Sequence, residues 1–227
     1  MNSPRPGDFI DIHTHGASSS PGIFRVEVLM AHEAVRPVEQ RGIAYAAGIH
    51  PWHLNEADRS RLTEFMRSVA EHPLVIAIGE AGFDRLRGPS MELQREVFDE
   101  QAEMAEKLGK PMVIHCVKAW DEFLSAHKRL KPTANWLIHG FRGKKELASQ
   151  LLSRGFYLSI WFEFALRPES AGLIRFIPAD RLFLETDGAD TDIRDIYSKA
   201  AADLGVSTDE LKITMYNNYK KFLGVRS

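Results

Sequence analysis

The stretch Phe9-Ile10-Asp11-Ile12-His13-Thr14-His15 decides how this chain is read. Side-chain direction alternates along a strand, so Asp11, His13 and His15 share one face. An apolar run bounded by loop signals reads as a buried parallel strand, and this one closes on two imidazoles. Taken alone, the string serves equally as a polar strand end. Further along, other apolar runs close in the same way. Glu80 follows Ala77-Ile78-Gly79, His115 follows Met112-Val113-Ile114, His139 follows Trp136-Leu137-Ile138, and Asp187 follows Leu182-Phe183-Leu184-Glu185-Thr186. Imidazoles and carboxylates repeated at strand C-termini are what a barrel or an open α/β sheet needs to converge ligands on one face.

Bulk properties bound the class. The 227 residues, 44% hydrophobic and 26% charged, suit one soluble α/β domain covering residues 1–227. No stretch approaches the length of a membrane span, and residues 1–8 lack the apolar segment of a signal peptide. The single cysteine, Cys116, excludes an internal disulfide and fits a reducing compartment. A cytoplasmic location is expected, with no membrane association and no obligate protein partner. The net charge of −2 gives no global attraction to nucleic acid, so an anionic substrate must be held by local features.

Strand-like runs cover residues 9–13, 23–30, 43–49, 74–79, 112–115, 136–139, 156–160 and 182–186. Helical spacing links Leu62, Phe65, Met66 and Val69, and again Phe98, Ala102, Ala105 and Leu108, where Gly109 and Pro111 end the helix. Leu147 and Leu151 mark a third helix. Ser207-Thr208-Asp209-Glu210 has capping-box spacing before a C-terminal helix. Between residues 23 and 49 the helical signal is weak. The expected fold is α/β, a TIM-type (β/α)8 barrel distorted in its first units, with a doubly wound sheet as the alternative.

Each candidate ligand has an ordinary reading of its own. Glu80, between two glycines, also suits a surface turn. His115 and His139 suit satisfied core positions, and Asp187 suits a turn before a helix. Together, imidazoles and carboxylates gathered at the same end of several strands describe a site for two divalent cations. These donors favour Zn²⁺ or Mn²⁺ over Mg²⁺. Neutral imidazoles leave such a site net positive, which suits an anionic transition state.

The ordered set Asp11-Ile-His13-Thr-His15, Gly48-Ile-His50-Pro51, Gly79-Glu80-Ala-Gly82-Phe-Asp84, Pro111 to His115, His139-Gly-Phe141-Arg-Gly143 and Glu185-Thr-Asp187 resembles the TatD family of metal-dependent hydrolases. Those are barrels related to the amidohydrolases and often described as deoxyribonucleases. Asn218 and Phe222 resemble the family's closing helix. The resemblance implies that His13 and His15 hold a first cation and that Glu80 bridges to a second, which His115 and His139 complete. It further implies that Asp187 binds the first and handles the proton of the nucleophilic water, and that His50 lines the substrate pocket. Val117 and Lys118 replace the family's usual arginine and acid. Gly140 replaces its cysteine, Ala189 its proline, and the segment after Asp187 is short.

A phosphodiester of DNA or a small nucleotide is the expected substrate. Arg142 and Lys144, opening a helix after His139, are candidate phosphate contacts. Trp52, Phe83, Trp120, Phe141 and Trp161 lie just beyond strand ends, where bases stack, and Trp52 and Phe141 are the candidate substrate contacts among them. Two other readings stay open: hydrolysis of a neutral amide, ester or lactone, and a binding protein on a degenerate scaffold.

Overall fold

The computed structural model describes residues 3–55 and 57–225, so the ends of the expected 1–227 domain and residue 56 lie outside the described residues. Eight parallel strands are hydrogen-bonded in sequence order: β1 (Phe9–Thr14), β2 (Ile23–Met30), β3 (Ile43–Gly48), β4 (Val75–Asp84), β5 (Met112–Val117), β6 (Trp136–Phe141), β7 (Tyr157–Ile160) and β8 (Leu182–Leu184). Helices follow as α1 (Arg59–Val69), α2 (Met91–Leu108), α3 (Trp120–Leu130), α4 (Lys145–Leu152), the short α5 (Phe162–Ala165) and α6 (Ala171–Ile174), then α7 (Ile193–Leu204) and α8 (Thr208–Phe222). This is the (β/α)8 class. Residues 15–22 and 31–42 cross between strands without a helix, so the early irregularity expected from the sequence is present.

Local chemistry explains the element ends. Ser90 caps α2 by accepting from Leu93 N–H at 3.3 Å, and Gly109 ends that helix in the left-handed region at φ 62. At α8 the Ser207–Glu210 capping box forms as its spacing implied. Three strands run further than the apolar pattern suggested. β4 continues from Glu80 to Asp84, β5 reaches Val117 and β6 reaches Phe141, so Glu80, His115 and His139 are placed within their strands.

The chain packs as two compact units. The first comprises Met1–Glu27, Glu39–Ala44 and Leu137–Ser227. Its core joins Tyr157, Phe183 and Phe222, whose rings stand 5.5–5.9 Å apart. Each such ring stabilises the fold by about 1.5–3 kcal/mol through burial. Asn218 ties α8 down, its amide donating to the carbonyls of Ala179 at 2.7 Å and Leu182 at 2.9 Å.

The second unit comprises Val28–Val38 and Tyr45–Trp136. Phe83, Phe98, Phe123 and Trp136 form its aromatic core, at centroid separations of 4.8–5.8 Å. Here β4 turns two glycines with positive φ toward β5, Gly79 at 142 and Gly82 at 157. A Cβ at Gly79 would stand 2.3 Å from the Val113 carbonyl oxygen, and one at Gly82 only 1.9 Å from that of His115. Only glycine fits either place.

Candidate metal centre

In the first unit His13 and His15 do face one way, as their spacing requires. Their Nε2 atoms stand 3.4 and 3.6 Å from the same oxygen, Oδ1 of Asp187. These separations exceed an ordinary hydrogen bond of about 2.7–3.2 Å. They match instead the edge of a coordination tetrahedron, about 3.4 Å for donors some 2.1 Å from a shared ion. Asp187 adopts φ 52, a left-handed conformation that aspartate tolerates better than most residues, and its N–H donates to the His13 carbonyl at 3.1 Å. The short segment past β8 is thereby pinned to β1.

The other acids of this unit serve as supports. Asp11 accepts from Thr186 N–H at 2.9 Å and from the Thr186 hydroxyl at 2.7 Å, so it fixes the turn carrying Asp187. Complete burial pushes its carboxyl up to about 7, against the lowering effect of those bonds and of Arg25. Glu185, also fully buried, accepts from Gly140 N–H at 2.7 Å and from the Ser159 hydroxyl, and stands 3.7 Å from His139 Nδ1. The His139 ring stacks on that of His13 at 4.0 Å.

In the second unit Glu80, buried to 3% exposure, receives two histidines. Its Oε1 lies 3.1 Å from His50 Nε2 and 2.8 Å from His115 Nδ1. His50 Nδ1 accepts from the Trp52 backbone N–H at 3.1 Å, which places the ring proton on Nε2 and makes His50 a donor to Glu80. The other nitrogen of His115, Nε2, meets Asp84 Oδ2 at 3.1 Å, and Trp52 Nε1 donates to that same oxygen at 2.6 Å. Burial alone would raise the Asp84 carboxyl. Hydrogen bonds from His115, Trp52 and the Leu86 N–H outweigh it and hold the group down at about 2. Asp84, an anion at neutral pH, thus orients His115 and leaves Nδ1 facing Glu80.

Two strand ends of this unit are held by glutamines seven residues apart on α2. Gln94 accepts from Asp84 N–H at 2.8 Å and donates to the Asp84 carbonyl at 2.9 Å. Gln101 does the same for Ile49, at 2.7 and 3.1 Å, immediately before His50.

The structure therefore gathers His13, His15 and Asp187 in one cluster, and His50, Glu80 and His115 in another. The donors of the first cluster stand at the separations of ligands to a shared divalent cation, whereas the second is closed by contacts of hydrogen-bond length, 2.8 and 3.1 Å. Phe141 requires a correction. Expected to touch substrate, it is 2% exposed and packs into the core beside Gly143, and Phe83 is likewise fully buried. Arg142 and Lys144 are exposed at the entrance to α4, with the Arg142 guanidinium lying 4.0 Å over the Trp161 ring. Asp84 was missed as a functional residue. Its signal was present, since it shares strand parity with Glu80 in Glu80-Ala-Gly-Phe-Asp84.

Parallel strands that deliver imidazoles and carboxylates in this way define a (β/α)8 protein with metal-competent donor clusters. The family model described as TatD related DNase matches residues 23–224, and the chain belongs to that family. An Erwinia amylovora protein named 3'-5' ssDNA/RNA exonuclease TatD is 36% identical over 146 residues, 62% of this chain and 56% of that protein. The match thus spans little more than half the length of that relative. An Escherichia coli protein named uncharacterized metal-dependent hydrolase YcfH is 27% identical over 228 residues, covering 92% of this chain and 82% of its own. Among solved structures, a TatD family hydrolase from Entamoeba histolytica superposes with a TM-score of 0.79 at 18% identity, covering 100% of both chains. The Escherichia coli TatD homolog YJJV gives 0.77 at 18% identity, with 98% of this chain and 100% of its own covered. At that identity the two structures speak for the fold. No helix among the described residues is long and apolar enough to cross a membrane.

Proposed function

We propose that this chain is a metal-dependent phosphodiesterase acting on DNA or a small nucleotide, with a divalent cation, Zn²⁺ or Mn²⁺, at each cluster. One observation carries the reading: Asp187 Oδ1 sits at ligand-edge distances of 3.4 and 3.6 Å from His13 and His15. His13, His15 and Asp187 take one cation. Glu80 and His115 belong to the other, and His139, stacked on His13, is a further imidazole donor of the first unit. Family membership and the nuclease name of the Erwinia relative favour a phosphodiester over a neutral substrate.

A cation bound here supplies Lewis acidity toward a phosphoryl oxygen and lowers the pKa of an attacking water. The chain's own residues do the rest. Asp187 accepts the proton of the water and returns it to the leaving oxygen. His50, donating from Nε2, fixes the Glu80 carboxylate, and Asp84 fixes the His115 ring. Arg142 and Lys144 meet a substrate phosphate in this reading, and Trp52 a base.

Hydrolysis of bis(p-nitrophenyl) phosphate and of short single-stranded DNA tests the reading, with chelator-treated protein and Asp187→Asn as controls. The expected result is turnover of both substrates that disappears in both controls. Turnover of neither by protein with two metals bound would overturn it in favour of an amide or ester substrate.

A further inference from the structure

Beside the Glu80–His115 cluster lies a pair of rings to which the hydrolytic machinery gives no role. His32, two residues past β2, and His53, in the turn Pro51–His53, stack face to face with centroids 3.6 Å apart and planes 13° from parallel. Both are half-buried, so neither is a core residue. His53 lies 5.9 Å from His50, the histidine that holds Glu80, and Trp52 lies 4.9 Å from it. Trp52 is 39% exposed, and the Arg87 guanidinium stands 4.1 Å over its ring.

Nothing in the chemistry of the two cation clusters calls for this arrangement. Exposed aromatic surface is costly to keep in water, and parallel imidazoles so close together stay stacked only while they are not both charged. Burial, helped by His32 and Arg87, lowers the pKa of His53 and favours its neutral, stackable form. Trp52 cannot turn away, because its indole N–H is held by Asp84 at 2.6 Å. Planar rings held in place beside a cationic side chain are what an uncharged heterocycle with an adjacent phosphate recognises.

We propose that His32, His53 and Trp52 form a stacking platform for the nucleobase of the nucleotide whose phosphate is attacked, with Arg87 beside its phosphate or sugar edge. The choice of a nucleotide rests on the phosphodiesterase reading above. Stacking uses the π-face that every base carries, so the platform selects for the presence of a base over its identity.

Calorimetric binding to the Mn²⁺-loaded protein separates the base from the rest of the ligand. Deoxyadenosine monophosphate is compared with 2-deoxyribose 5-phosphate, which has the same sugar and phosphate but no base. The nucleotide is expected to bind about tenfold tighter or more, the worth of one stacked base. In His53→Ala that preference should shrink to about threefold or less, and His53→Phe, which keeps a planar ring, should restore most of it. Equal affinity for the two ligands in the unmodified protein overturns the platform, as does a preference that His53→Ala and His32→Ala both leave intact. Hydrolysis of bis(p-nitrophenyl) phosphate by the same preparation reads the phosphodiesterase function independently. A base preference without hydrolysis keeps the platform and removes that function, whereas hydrolysis without a base preference does the reverse.

Discussion

Asp187 meets His13 twice, through its N–H on the His13 carbonyl at 3.1 Å and through its carboxylate at 3.4 Å from the His13 ring. The backbone contact sets where the carboxylate can stand. The Asp187 carboxylate is thus positioned by a main-chain bond that side-chain substitution leaves in place.

Asp187→Asn is accordingly expected to keep its fold and most of its metal and to lose turnover. Removal of a positioned general base costs about 10²–10⁴ in rate. Steady-state kinetics with a measurement of bound metal check this, and wild-type-like turnover would take Asp187 out of the mechanism.

Gln101 carries both polar backbone groups of Ile49 and so sets the approach of the chain to His50. Gln101→Met preserves volume but leaves a buried N–H and a buried carbonyl unsatisfied. Destabilisation of about 1–3 kcal/mol for each unsatisfied group is expected in urea unfolding. Activity should fall as well, because the His50 donor to Glu80 shifts. An unaltered midpoint would show that these backbone groups find other partners.

Chelation should lower thermal stability as well as abolish turnover. A cation at about 100 times its Kd contributes about 2.7 kcal/mol. For a chain of this size that is a melting shift of about 5–10 °C. Imidazole ligands bind metal only when neutral, so the shift should shrink below about pH 6. A chelator that leaves the melting curve unchanged at pH 8 would argue against cations bound at these clusters.

Glu106 offers a pH-dependent test of the fold away from the centre. It accepts hydrogen bonds from the Thr133 hydroxyl, the Thr133 N–H at 3.0 Å and the Ala134 N–H at 3.2 Å, so it anchors the turn that leads into β6. The Thr133 hydroxyl foremost holds its carboxyl below the usual glutamate range. A carboxyl depressed in the folded state contributes full stability above its unfolded value of about 4.3 and loses it as pH falls through the folded one. Wild type should therefore melt above Glu106→Gln at pH 7, and the two curves should converge under acid. A constant gap down to pH 2 would assign the difference to something other than charge.

Most of the architecture was legible because buried strands are apolar and loops are not. β2 runs over Ile23–Met30 as its composition indicates, and each ligand stood out by ending or following such a run. α3 and α7 escaped because their buried residues make short, interrupted apolar series. Of the α3 residues, Phe123 and Ala126 are the buried ones, and α7 buries Ile193, Ile196, Tyr197, Ala200 and Ala201 among charged neighbours. Asp84 escaped because the apolar run closes at Gly79, whereas β4 continues to Asp84. Phe83 and Phe141 looked like rim residues because a ring beside a ligand gives no sign of which face it occupies. The His32–His53 pair joins residues from different loops, which only the folded chain brings together.

The missing side chain at Gly82 has a further consequence. With a Cβ there only 1.9 Å from the His115 carbonyl, no side chain fits at this point of the β4–β5 pairing. The main chain that carries Glu80 and His115 is thereby a seat with no room for a substituent between its two strands. Engineering a different ion preference is better aimed at the Asp187 side, where a turn past β8 can be rebuilt, than at a strand pair with no slack.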